Sequence, residues 1–219
     1  MKKTLLFLLL AVASGPAAFA QAAPGGSQSS KDYTGGAVSE SGNTGFGVKG
    51  GYSLSNFRGD GADGIDGRKS LNTFHGGVYG QFGFNNFSSV QVELLYSRKG
   101  VEFTDGTGGG EQELRLDYLS LPVLYVGNIT ENISFHVGPQ LSLLTKIKSG
   151  DEDLDIEESG FNSLDVGAVA GLEARIGPAR IGARYDLGLS KLIENEAFIG
   201  TGNLRNNTFQ VYVGLGITQ

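Results

Sequence analysis

Cysteine is absent from the 219-residue sequence, which removes disulfide frameworks, thiolate nucleophiles, thiol metal sites and a lipoprotein anchor on an N-terminal cysteine. An apolar run long enough to cross a bilayer as a helix is missing as well. Leu5 to Val12 falls far short of the roughly 20 residues such a span needs. Positive charge is scarce: 17 Lys and Arg stand against 23 Asp and Glu, for a net charge of -6. Without clustered cations the chain lacks a sequence-independent grip on nucleic acid. Glycine, by contrast, is abundant at 36 residues, yet it follows no Gly-X-Y period, so collagen is excluded and the glycines need another explanation. The length suits one domain.

The first residues read as a targeting segment. Lys2 and Lys3 form a positive n-region, Leu5 to Val12 an apolar h-region and Ala18-Phe19-Ala20 an A-x-A cleavage box, so residues 1–20 are expected to be a signal peptide and the protein to be exported. Residues 21–43 are Gly, Ser, Ala and Gln with few large apolar side chains. They cannot offset the entropy of ordering and are expected to form a flexible leader. The folded domain is expected over residues 44–219.

From Thr44 onward the chain alternates with period two. Phe46, Val48, Tyr52 and Leu54 oppose Gly47, Lys49, Gly51 and Ser53. Phe74, Val78 and Phe82 oppose Thr73, His75, Tyr79 and Gln81, and Asn85-Asn86 then suits a tight turn, because Asn tolerates positive φ. Val90, Val92, Leu94 and Tyr96 oppose Gln91, Glu93, Ser97 and Lys99. Leu119, Leu121, Val123 and Tyr125 follow on the apolar face, with a bulge or break expected at Pro122, which has no backbone donor. Four more segments repeat the scheme, led by Ile133 to Leu143, Val166 to Ala174, Ile181 to Leu189 and Phe209 to Ile217. The pattern predicts an all-β chain of eight strands.

Connections differ by side. Asn85-Asn86, 127–132 and Gly177-Pro178 are short, whereas 57–70, 104–110, 147–162 and 193–205 are long and polar. Short turns at one end and long loops at the other are the pattern of a transmembrane barrel with its long loops outside the cell and both chain ends in the periplasm. A soluble eight-stranded barrel would place the apolar face inward instead. Here the small-polar face fits the inside, because an eight-stranded interior has room only for side chains and the glycines make space for long charged ones. Lys49, Glu93, Asp165, Glu173, Arg175, Arg184 and Asp186 therefore form a candidate lumen charge network of structural role. Paired charges of both signs avoid the cost of an isolated buried ion. Arg184 and Asp186 on one strand are expected to meet Glu173 and Arg175 on the next.

The runs Gly47-Val48-Lys49-Gly50-Gly51, Val92 to Gly100, Asp117-Tyr118-Leu119-Ser120-Leu121-Pro122, His136-Val137-Gly138-Pro139 and Arg184-Tyr185-Asp186-Leu187-Gly188-Leu189 resemble, in this order and spacing, the outer-membrane β-barrel family often labelled "porin family protein" or PorT-like, common in Bacteroidetes. The resemblance covers nearly all of residues 44–217. It implies an eight-stranded antiparallel up-and-down transmembrane β-barrel of OmpA- or OmpX-type architecture, resident in the outer membrane of a Gram-negative bacterium. Outer-membrane lipid and the outer-membrane assembly machinery would be its partners, with a ligand of the surface loops left open and nucleic acid excluded. At Gly216-Ile217-Thr218-Gln219 the chain departs from the family's pattern, having no terminal aromatic residue.

No constellation carries a reaction. His75 and His136 share the polar face without a third ligand placed by spacing, the Ser residues lack a nucleophile elbow, and the Gly-rich runs lie within strands, not between a strand and a helix. Asp60, Asp63 and Asp66, and the run Asp151 to Glu158, crowd two loops but do not meet the EF-hand pattern and read as solvated acidic loops. The sequence thus points to a non-enzymatic barrel with a filled lumen and no cofactor or metal, which contributes to envelope structure or presents its loops for binding. The alternatives are a narrow passive channel for small solutes and a membrane-embedded lipid-modifying enzyme.

Overall fold

The computed structural model describes residues 43–59, 62, 67–104, 111–150, 152–156, 159–192 and 204–217. The expected signal peptide, the leader up to residue 42 and most of the acidic loop residues lie outside the described residues. The strands are β1 (Gly45–Arg58), β2 (Lys69–Gly83), β3 (Ser88–Thr104), β4 (Glu111–Asn128), β5 (Ile133–Ser149), β6 (Glu152–Leu154), β7 (Leu164–Ile176), β8 (Ala179–Gly188) and β9 (Arg205–Ile217). Each long strand pairs antiparallel with its neighbours, β4 pairs with β5, and the first and last strands join from Phe46↔Ile217 to Arg58↔Arg205. The result is a closed barrel of eight long strands with no free edge. The three-residue β6 pairs only with β5, so the expected long loop after β5 begins as a hairpin.

Alternation decides what faces where. Phe46, Val48, Phe74, Val78, Val92, Val123, Val137, Leu172, Val211 and Val213 lie on the outside, while Ser53, Thr73, Gln81, Gln91, Ser97, Ser120, Ser142, Thr208 and Gln210 are buried within. This inversion of the usual globular arrangement is what a lipid-facing wall requires. Glycine opens the interior where a large ring must lie: a Cβ on Gly171 would stand 2.6 Å from the ring Nε2 of His136, and one on Gly182 would collide with the ring of Tyr212.

One local expectation is met in part and another is corrected. At Pro122 the β3–β4 ladder breaks without a bulge: Val92↔Val123 and Leu95↔Ser120 belong to one alignment, but Glu93 and Leu94 have no Cα partner between them. The irregularities lie between Ser70 and His75 in β2 and at Asp117/Tyr118 opposite Thr145. A proline without a donor interrupts a ladder and leaves the register intact, whereas an inserted residue shifts it. The first short turn, 84–87, uses no positive φ at either asparagine. Instead the Asn85 Oδ1 accepts hydrogen bonds from the backbone N–H of Phe87 and Ser88, both at 2.8 Å, so the side chain substitutes for a backbone turn. Positive φ appears at Gly177 (59°) in the turn that joins β7 and β8.

Candidate functional site

The lumen is the only interior the barrel encloses, and its side chains fall into three polar tiers and one apolar tier. Nearest the short turns, Glu173 of β7 meets Arg180 Nη1 at 3.1 Å and Arg175 Nε at 3.6 Å, and it accepts a 3.0 Å hydrogen bond from Tyr212. Arg180 also donates to Gln81 and lies over the Tyr79 ring. At this mouth Asn43 donates to the carbonyls of Asn85 and Asn86 at 2.9 Å and accepts from Asn128 and Arg175, which ties the residue before β1 across the opening.

The middle tier centres on Glu93, 1% exposed. One carboxylate oxygen is 2.6 Å from Lys49 Nζ of β1 and the other 2.6 Å from Arg184 Nη1 of β8, across the barrel from β3. Gln91 donates to Glu93, Arg184 donates to Gln210, and Gln210 reaches Ser53, which is bonded to His75. Lys49 stands 4.3 Å from the centroid of the Tyr212 ring. One carboxylate thus serves two cations whose remaining donors face amide oxygens and an aromatic face, the arrangement a buried ion needs to be tolerated.

In the third tier Lys99 of β3 lies 2.9 Å from Asp186 and 3.6 Å from Asp165. Gln140 donates to Asp186 at 2.7 Å, and Ser190 and Asn206 donate to Asp165. Beyond it, toward the long loops, the interior turns apolar. Phe57, Val101, Leu116, Tyr118, Leu144 and Ile147 pack with Ala62, Leu192 and Leu204 from the loops into a buried cluster. The Leu192 N–H donates to the Leu204 carbonyl, and the Asn162 N–H to that of Leu192, so the loop ends are held over the mouth.

All seven candidate lumen residues face inward, divided among the three tiers. Their pairing differs from expectation: Arg184 joins Glu93, Asp186 joins Lys99, and Glu173 joins Arg175 of its own strand and Arg180 of the next. Lys99, Arg180 and Tyr212 were not among the candidates, although period-two alternation puts them on the inner face with Glu93, Arg184 and Gln210 respectively. His75 of β2 and His136 of β5 face the Tyr212 ring, at 6.3 and 6.4 Å between centroids. Among the described residues no group of His, Asp and Glu has the geometry to hold a metal ion.

The family described as outer membrane protein beta-barrel domain matches residues 19–194. The chain belongs to this family. It is accordingly a protein of the Gram-negative outer membrane, and the exposed apolar wall is its lipid contact. Among solved structures, the crystal structure of Neisserial surface protein A is similar at 15% identity and a TM-score of 0.50 over 78% of this chain and 97% of that one, which shows the shared barrel fold. Ail, the attachment invasion locus protein of Yersinia pestis solved with the heparin analogue sucrose octasulfate, is 18% identical with a TM-score of 0.48 over 80% of this chain and 99% of its own. OprG from Pseudomonas aeruginosa is 15% identical with a TM-score of 0.44 over 82% and 99% of the two chains. No curated protein matches.

Proposed function

We propose that this outer-membrane barrel is non-enzymatic and closed, and that it serves the envelope as a wall element whose long loops are presented at the cell surface. The observation that carries the reading is the lumen itself. Three tiers of paired charges lie in series behind an apolar cluster at one mouth. An eight-stranded interior leaves little beyond side-chain volume, and here it is occupied by long side chains. A conducting path would have to part buried ion pairs and then a dry cluster.

Purified protein in liposomes should therefore leave the vesicles tight to small neutral sugars, whereas swelling at the rate of a general porin would overturn the reading in favour of a channel. The loop asymmetry supports an orientation with the long loops outside and both chain ends periplasmic. Protease added to intact cells should cleave within 150–162 and spare the turn at 84–87; the reverse pattern would invert the orientation without touching the closed lumen. The seven sequence candidates, with Lys99 and Arg180, act in this reading as fillers and mutual counter-ions.

A further inference from the structure

Cations in this chain divide by face. Among the described residues, Lys49, Lys99, Arg175, Arg180 and Arg184 point into the lumen. The others lie outside it, in the long-loop half of the strands or in the loops there. On the β3–β6 side these outer cations are already neutralised. Arg98 holds Asp117 at 2.7 Å, Lys146 and Lys148 hold Asp153 at 2.9 and 3.3 Å, and Arg115 sits on Glu113.

The β1–β9 side is different. Arg58 and Arg205 are direct Cα partners across the closing seam of the barrel. Their chain neighbours Phe57 and Asn206 face the interior, so alternation turns both guanidinium groups outward. Like charges directly opposed on one face of a sheet repel. Neither arginine has a carboxylate partner among the described residues. Arg58 donates from Nη2 to the Gly188 carbonyl at 2.8 Å, and the Nε atoms of both are buried without an acceptor. The pair lies four positions beyond the lipid-facing Leu54 and Phe209, about 13 Å further along the strands, with Asn56↔Asn207 between. The outward face of this seam therefore turns from apolar to polar between Leu54/Phe209 and the arginine pair, as a wall leaving hydrocarbon for headgroups would.

We infer that Arg58 and Arg205 form a clamp for a phosphate group of the phosphorylated glycolipid of the outer leaflet. Two guanidinium groups borne on directly opposed strand positions can both donate to the oxygens of one phosphate, whose negative charge removes their repulsion. Acyl chains attached to the same headgroup would lie along the apolar wall formed by Tyr52, Leu54, Phe209 and Val211 directly below. That continuity with the wall is what selects a lipid over free phosphate. The inference rests on the orientation proposed above.

The test uses protein extracted from outer membranes into detergent micelles, where sidedness plays no part, so its outcome is independent of the protease result. Binding of lipid A, dephosphorylated lipid A and inorganic phosphate is compared by native mass spectrometry. Lipid A should bind at least about tenfold more tightly than its dephosphorylated form, the size expected for charge-assisted bonds. Arg58→Gln with Arg205→Gln should abolish that difference, Arg58→Lys with Arg205→Lys should keep part of it, and Lys148→Gln should leave it intact. Equal binding of the two lipids, undiminished preference in the Gln pair, or inorganic phosphate binding as tightly as lipid A would each overturn the proposal. If the Gln pair fails to reach the heat-modifiable folded form, the comparison of the two lipids on the unaltered protein and on the Lys pair still decides it.

Discussion

The middle of the lumen and its long-loop mouth belong to one barrel and are filled in opposite ways. At the middle, Glu93 binds Lys49 and Arg184 with every polar atom of the carboxylate engaged. At the mouth, Leu116, Ile147 and Val101 meet with no exposure above 1% and no charge among them. Charged side chains reach across a barrel from one strand to another and fix its cross-section through direction-dependent bonds. An apolar cluster instead excludes water and recruits loop residues such as Leu192 and Leu204, which carry no strand register of their own. The difference teaches that a closed lumen can be held by pairing where strands are ordered on all sides, and by dry packing where the chain leaves the sheet.

The contrast can be broken from either side. Glu93→Ala should have the largest effect, because it strands two buried cations at once, and removal of one partner of a buried pair typically costs about 3–5 kcal/mol. Urea unfolding of protein in lipid vesicles should show a midpoint lowered accordingly, and Glu93→Gln, which keeps an acceptor, should lose less. An unchanged midpoint for the alanine variant would mean that the middle tier contributes shape but no stability.

Leu116→Ala comes next. Deleting a fully buried leucine leaves a cavity in the cluster, worth about 2–5 kcal/mol in a core that cannot collapse. The loop ends after β8 and before β9 should lose amide protection before the mid-barrel strands do. Simultaneous loss everywhere would show that mouth and middle unfold as one unit and would dissolve the comparison.

The smallest effect belongs outside both regions. Asp153 in β6 is exposed, and the Lys146 ammonium beside it, followed by Lys148, holds its carboxyl below the usual carboxylate range. A depressed folded-state pKa means that the contact contributes above the ordinary carboxylate pKa and is lost as pH falls through the lowered value. Asp153→Asn should leave the unfolding midpoint unchanged at neutral pH and speed amide exchange only around Glu152–Leu154. A global shift would show that the β5–β6 hairpin braces the mouth.

Much of the fold was legible in the sequence for a simple reason. Period-two alternation from Phe46 to Ile217 states both the strand count and the face of each residue, and the alternation of short and long connections states the up-and-down order. Which residues touch across the interior was not legible, because barrel stagger decides it. Arg184 faced the lumen by parity alone, yet its partner Glu93 sits 91 residues away on a strand that is not adjacent. Lys99 and Arg180 were legible as inward by the same parity, but their partners Asp186 and Glu173 lie on other strands and follow only from the register. The apolar mouth was hidden for another reason: beyond Lys99 the inner face changes from polar to apolar at Val101 while the outer face turns charged at Arg98 and Arg115, so the alternation inverts at the end of the barrel. The β6 hairpin was not legible, since a three-residue acidic strand carries no periodicity.

The closed lumen is the claim on which the account stands, and single-molecule conductance in planar bilayers addresses it most directly. The unaltered protein should give no stable ohmic steps over a wide voltage range. Combined Lys49→Ala, Glu93→Ala and Arg184→Ala with Leu116→Ala, which empties the middle tier and thins the mouth, should give small discrete openings if the barrel stays folded. Large, long-lived conductance in the unaltered protein would contradict the account.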